Sequence, residues 1–169
     1  MKILITGGTG FVGTQLPSRF IREGHEVTII TRSPKDSGKT SPGVFYLQAD
    51  PTQKGPWQES IKGYDVIINL AGASIFSKWT EEHKRALRET RISTTRNIVE
   101  GIISYPNKKN TLFSTSAVGY YGFHGDEELD DNSSPGNDFL ARLGVEWEKE
   151  ALKAAEKGAR VVITRFGDP

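Results

Sequence analysis

Short apolar runs alternate along the chain with longer stretches whose apolar positions recur at helical spacing. The runs are KILIT (2–6), EVTIIT (26–31), VFYLQA (44–49), DVIINLAG (65–72), TLFSTS (111–116) and RVVITRF (160–166). Each is apolar on both faces, the pattern of a strand buried inside a parallel sheet. The intervening stretches predict helices over roughly 11–23, 80–104 and 138–157, with a short helix or loop around GPWQESIKG (55–63). Strands alternating with helices predict an α/β chain with a doubly wound parallel sheet, the Rossmann fold. The expected strand order is 3-2-1-4-5-6, with right-handed crossovers. Pro17 falls inside the first predicted helix, where it removes an N–H and crowds the carbonyl of Gly13, so a kink or local rearrangement is expected there.

The turn after the first strand reads TGGTGFVG. Gly7 permits a tight turn, Gly10 lets a pyrophosphate approach the main chain, and Gly13 lets the helix pack against the sheet. Phe11 and Val12 open the predicted helix, whose free N–H groups and partial positive charge face the phosphates. The glycines follow a strand, open a helix and lead to a second strand, as dinucleotide binding requires.

The end of the second strand selects the cofactor. NAD-specific sites place Asp or Glu there to accept from the ribose 2′-hydroxyl. This chain has Thr31, Arg32 and Ser33, with Lys35 nearby. A guanidinium at that point suits a 2′-phosphate, so NADP(H) is favoured over NAD(H); otherwise Arg32 and Lys35 are solvated loop charges. Asp50 ends the third strand and either accepts from an adenine amino group or caps a turn. Leu70, Ala71 and Gly72, at the end of the fourth strand, let the main chain pass close to the dinucleotide, although close helix packing explains them equally.

Composition narrows the remaining classes. Lys and Arg number 22 against 21 Asp and Glu, which gives no electrostatic footprint for nucleic acid or a membrane surface. With no cysteine, disulfides, thiolate catalysis and Cys-based zinc sites are excluded. His25, His83 and His124 are too scattered for a local metal motif. The apolar run before the first glycines is too short for a signal peptide, so a cytoplasmic protein is expected. The acidic stretch DEELDD (126–131) reads as a solvated loop rather than a metal site.

TGGTGFVG, DVIINLAG and STSAVGYYG occur in the order and spacing of the extended short-chain dehydrogenase/reductase superfamily, which the chain resembles. More narrowly, INLAGASI, KWTEEHKRALRETRISTTRNIVEGI, SAVGYYG and DFLARLGVEWEKEA resemble its atypical NAD-dependent epimerase/dehydratase-like branch. The resemblance covers essentially all 169 residues. Members of that branch are longer, so it implies that residues 1–169 are an NAD(P)-binding Rossmann domain without the relatives' C-terminal substrate portion.

In the superfamily, a Ser or Thr after the fifth strand orients the substrate carbonyl. A Tyr-x-x-x-Lys on the following helix supplies the acid or base for hydride chemistry. The resemblance makes Ser116 the serine, with Ser114 on the cofactor side. The tyrosine position falls at Phe139 and the lysine position at Leu143, on an apolar stripe with Trp147, Ala151 and Ala155. The one Tyr-x-x-x-Lys present, Tyr105 to Lys109, is broken by Pro106 and precedes the fifth strand, away from the carboxyl edge.

Tyr120 and Tyr121 are then the nearest phenols, as substitute proton donors or as packing groups beside the cofactor. Arg91 stands where many extended members have Asn, and either binds cofactor or an anionic substrate or pairs with nearby Glu. Two functions follow from this pattern. One is an NADP(H)-binding oxidoreductase or nucleotide-sugar-epimerase-like protein acting on an unidentified small molecule. The other is a non-catalytic NADP(H)-binding protein. The helices at 80–104 and 138–157 are where superfamily members commonly dimerise, so the resemblance leaves a homodimer possible.

Overall fold

A computed structural model describes residues 1–33 and 43–167. Its strands are β1 (Lys2–Thr6), β2 (Glu26–Thr31), β3 (Val44–Gln48), β4 (Val66–Asn69), β5 (Thr111–Ala117) and β6 (Arg160–Phe166). Its helices are α1 (Leu16–Arg22), α2 (Trp57–Ser60), α3 (Glu81–Ile103) and α4 (Phe139–Leu152). The strands form one sheet in the order β3-β2-β1-β4-β5-β6, every pair parallel. The expected doubly wound Rossmann sheet is therefore present, with all carboxyl ends on one edge.

Strand alternation divides the core between the two faces. Leu4, Ile67 and Leu112 meet Ile98 and Ile102 of α3 and Ala151 of α4 on one face. Ile3, Ile5, Val27 and Ile29 meet Leu16, Phe20 and Ile21 of α1 on the other. Burying each large aliphatic side chain contributes about 1.5–3 kcal/mol, which fixes the register of the central strands.

Three boundaries depart from the sequence pattern. First, α1 starts at Leu16 rather than near 11, with Pro17 in its first turn. Pro17 has no N–H to lose there, so no mid-helix kink forms. Residues 11–15 are instead hydrogen-bonded turns, with Thr14 N donating to Gly10 O at 3.0 Å and Gln15 N to Val12 O at 3.1 Å. Second, β4 stops at Asn69. The Asn69 Oδ1 accepts from Ala71 N at 3.4 Å and draws the chain out of the ladder. Third, α4 ends at Leu152, and a 3-10 turn over Ala155–Lys157 follows. The tighter turn shifts the helical phase, so Ala154 is buried and Ala155 is exposed.

Candidate functional site

The carboxyl ends of β1 to β4 and the start of α3 enclose a crevice of about 690 Å³. Gly7 turns the chain into it at φ +70°, and a Cβ there would stand 2.6 Å from the main chain of Leu70. A Cβ on Gly13 would stand 2.4 Å from Gly7 O. Both positions therefore exclude any side chain, and together they press the glycine turn onto the end of β4. Gly7, Gly10, Arg32, Asp50, Leu70, Ala71 and Gly72 all line this crevice. Phe11 and Val12 are exposed and do not line it. What they offer is main chain, because their N–H groups have no acceptor among the described residues.

At the β2 end, Thr31 Oγ1 donates to Ser33 O and accepts from Ser33 N, each at 3.3 Å. This local turn sets Arg32 on the crevice wall. Lys35 lies outside the described residues. The acid on the wall among the described residues is Asp50, at the end of β3. Its Oδ1 accepts from Thr52 N at 2.9 Å and Thr52 Oγ1 at 2.8 Å, so the turn-capping role is present.

The sequence pattern did not point to Thr94, whose Oγ1 is buried on the crevice wall with no partner. An orphaned buried hydroxyl there, unpaired N–H groups in the turn and a side-chain-free approach at Gly10 fit a dinucleotide. The signal for Thr94 is a threonine pair, Thr94 and Thr95, on the buried face of α3 between Ile92 and Ile98.

A second cavity of about 260 Å³ lies beside the first, under the 3-10 turn Val118–Tyr120 and against α4. Tyr120, Arg91, Leu143 and Trp147 line it. Arg91 does not line the first crevice, although it packs against Gly72 of that wall: a Cβ on Gly72 would stand 3.0 Å from the Arg91 guanidinium carbon. The guanidinium donates to Leu87 O at 3.2 Å and Ala73 O at 3.1 Å. No pairing of Arg91 with a Glu occurs among the described residues; Arg88 pairs with Glu146 and Arg96 with Glu150 instead.

The packing of α4 engages the expected serine. Ser116 is buried and its hydroxyl donates to Glu148 Oε1 at 2.6 Å, so it lines neither cavity. Arg165, its register partner on β6, closes on the same carboxylate. Arg165 Nη1 also donates to the Tyr121 hydroxyl at 2.7 Å, which takes Tyr121 into the same network. The Glu148 carboxylate holds Arg165 more firmly protonated than a free guanidinium. Ser114 is likewise buried away from both cavities, with its hydroxyl unpaired. Tyr120 is thus the one residue of the expected catalytic set on a cavity wall. Arg165 stacks 3.8 Å from its ring centre and fixes the ring's orientation.

Residues 3–169 match the NAD dependent epimerase/dehydratase family. The chain belongs to this family. Epimerase family protein YfhF of Bacillus subtilis (strain 168) is 38% identical over 168 residues, covering 99% of this chain and 54% of that protein. A nucleoside-diphosphate sugar epimerase from Corynebacterium glutamicum superposes with a TM-score of 0.78 at 33% identity. The match covers 98% of this chain and 33% of that one. Human epimerase family protein SDR39U1 (isoform 2), solved with NADPH, gives 0.75 at 28% identity over 98% of this chain and 53% of that one. The chain spans about half the length of the curated relatives it matches.

In α4, Phe139 and Leu143 are packed as apolar residues. Phe139 meets Trp79 edge-on at 5.7 Å, and Leu143 is buried against Trp147 and Leu87. Tyr105 follows α3 at the opposite edge of the sheet, where Lys62 lies over its ring. In DEELDD, Asp130 caps a local turn through Asn132 N and Ser133 Oγ, and Glu127 pairs with His124. Among the described residues no group of three or more acids and histidines stands together as a metal site. No described helix is long and apolar enough to cross a membrane.

Proposed function

We propose that this chain binds NADP(H) in preference to NAD(H), as the nucleotide-binding portion of an oxidoreductase or nucleotide-sugar-epimerase-like protein acting on a small molecule. The observation that carries the preference is Arg32 on the crevice wall at the end of β2, with no acid at that end among the described residues. Arg forks onto a phosphate, whereas an NAD site needs a carboxylate there for the ribose hydroxyl. The NADPH in the human relative's structure supports the same choice.

In this reading the main chain at Gly10, Phe11 and Val12 holds the pyrophosphate, and Thr94 supplies a further hydroxyl. Asp50 accepts from the adenine amino group with the carboxylate that also caps its turn. The dinucleotide, when bound, supplies a two-electron redox centre at its nicotinamide ring. Tyr120, on the wall of the second cavity, then holds or releases a proton at its phenol oxygen. Residues 1–169 are read as the dinucleotide-binding portion, and the rest of the relatives' length has no counterpart in them.

A second reading, a non-catalytic NADP(H)-binding protein, is favoured by Phe139 and Leu143 in α4 and by the commitment of Ser116 to Glu148. Following NADPH oxidation against a panel of carbonyl compounds with the full-length protein separates the two. Turnover that falls on Tyr120→Phe supports the enzyme. Tight NADPH binding with no turnover supports the binding protein. Loss of NADPH binding to the chain itself rejects both.

A further inference from the structure

Among the described residues no carboxylate pairs with Arg91, which presents its guanidinium to the second cavity. The two carbonyls it bonds and the Trp147 ring 5.2 Å away orient the guanidinium without neutralising it. Burial pushes it below the usual arginine range, as expected of a desolvated cation. A guanidinium has more donors than these two bonds use. The surrounding wall is largely apolar, with Val118, Leu140 and Leu143 beside Trp147. Asp138 is the acid on that wall. Its Oδ1 already accepts from Leu140 N at 2.8 Å and Ala141 N at 3.0 Å, at the positive end of α4.

We propose that the second cavity binds a small molecule with an apolar body and a carboxylate, the carboxylate forked on Arg91. A planar guanidinium matches a carboxylate by two parallel hydrogen bonds, and the low-polarity wall strengthens them. As a substrate assignment this rests on the dinucleotide reading above, because a ligand here is a substrate only if a dinucleotide fills the adjoining crevice. It narrows that reading to an acid whose reacting carbon lies between Arg91 and Tyr120.

The test is calorimetric titration of benzoate, and of benzamide as its uncharged counterpart, into the chain with and without saturating NADPH. Benzoate is expected to bind roughly tenfold or more tightly than benzamide, as the loss of a charge-assisted fork implies. Arg91→Gln should abolish that preference and Arg91→Lys should keep part of it. Val118→Trp fills the cavity from a half-exposed position and should weaken both ligands. It carries the test if loss of the Ala73 and Trp147 contacts unfolds Arg91→Gln.

Equal binding of the two ligands, binding of neither, or benzoate binding indifferent to Val118→Trp would overturn the carboxylate site. If NADPH binds and benzoate does not, the carboxylate site falls alone. If benzoate binds through Arg91 and NADPH does not bind, the dinucleotide reading falls and with it the substrate assignment.

Discussion

Arg165 closes on both oxygens of Glu148, Nε to Oε1 and Nη2 to Oε2, each at 2.8 Å. The pair ties β6 to α4 and, through Ser116 and Tyr121, secures the segment that carries Tyr120 to the second cavity. The side chains are 17% and 10% exposed, so solvent screens them weakly.

Removing one partner leaves the other charge buried. Arg165→Met should destabilise the chain by about 3–5 kcal/mol in urea unfolding. The double variant Arg165→Met with Glu148→Leu should recover most of that loss. Ser116→Ala should cost less, about 1.5–3 kcal/mol, as for a single hydrogen bond to a charged group. A double variant as unstable as Arg165→Met alone would show that the network contributes little through charge.

Gly7→Ala places a Cβ against the Leu70 main chain at a positive φ. The variant should lower the thermal midpoint by several degrees, in line with about 1–3 kcal/mol of backbone strain. NADPH binding should weaken with it, because the turn must move away from β4. Wild-type stability and affinity in Gly7→Ala would contradict the close approach.

Asp65 accepts from Lys108 Nζ at 2.7 Å and Lys2 N at 2.9 Å at the amino edge of the sheet. The hydrogen bond from Lys108, then that from Lys2, holds its carboxyl below the ordinary value of 3.8. A carboxylate with a depressed folded value stabilises above its unfolded value and loses that contribution as pH falls through the folded one. Asp65→Asn should therefore cost at neutral pH, by no more than about 1 kcal/mol because the pair is partly exposed. The difference from wild type should close as pH falls below 3.8. A gap that persists into strong acid would assign the effect to packing instead.

The sheet was legible in the sequence because each strand is a buried apolar run bounded by turn residues, and parallel pairing follows from the alternation with helices. The crevice was legible for a similar reason: Gly7, Gly10 and Gly13 act through local backbone geometry. The start of α1 was misread because helical periodicity continues through residues 11–15, whereas Pro17 suits a first turn. The fate of Ser116 was hidden because it depends on two distant partners. One is set by the pairing of Ser116 with Arg165 across β5 and β6, and the other by the inward face of α4 at Glu148. Two buried charges of opposite sign, in RVVITRF and GVEWEKEA, were the available signal. Thr94 escaped notice because an orphaned hydroxyl is visible only once its surroundings are assembled.

The central claim is that the crevice takes NADP(H) through Arg32, and titration of NADPH and NADH into the chain and into Arg32→Ala tests it most directly. The expected result is NADPH binding at least roughly tenfold tighter than NADH in the wild type, with that preference lost in Arg32→Ala while NADH binding is nearly unchanged. Equal binding of the two dinucleotides by the wild type, or binding of neither, would contradict the account.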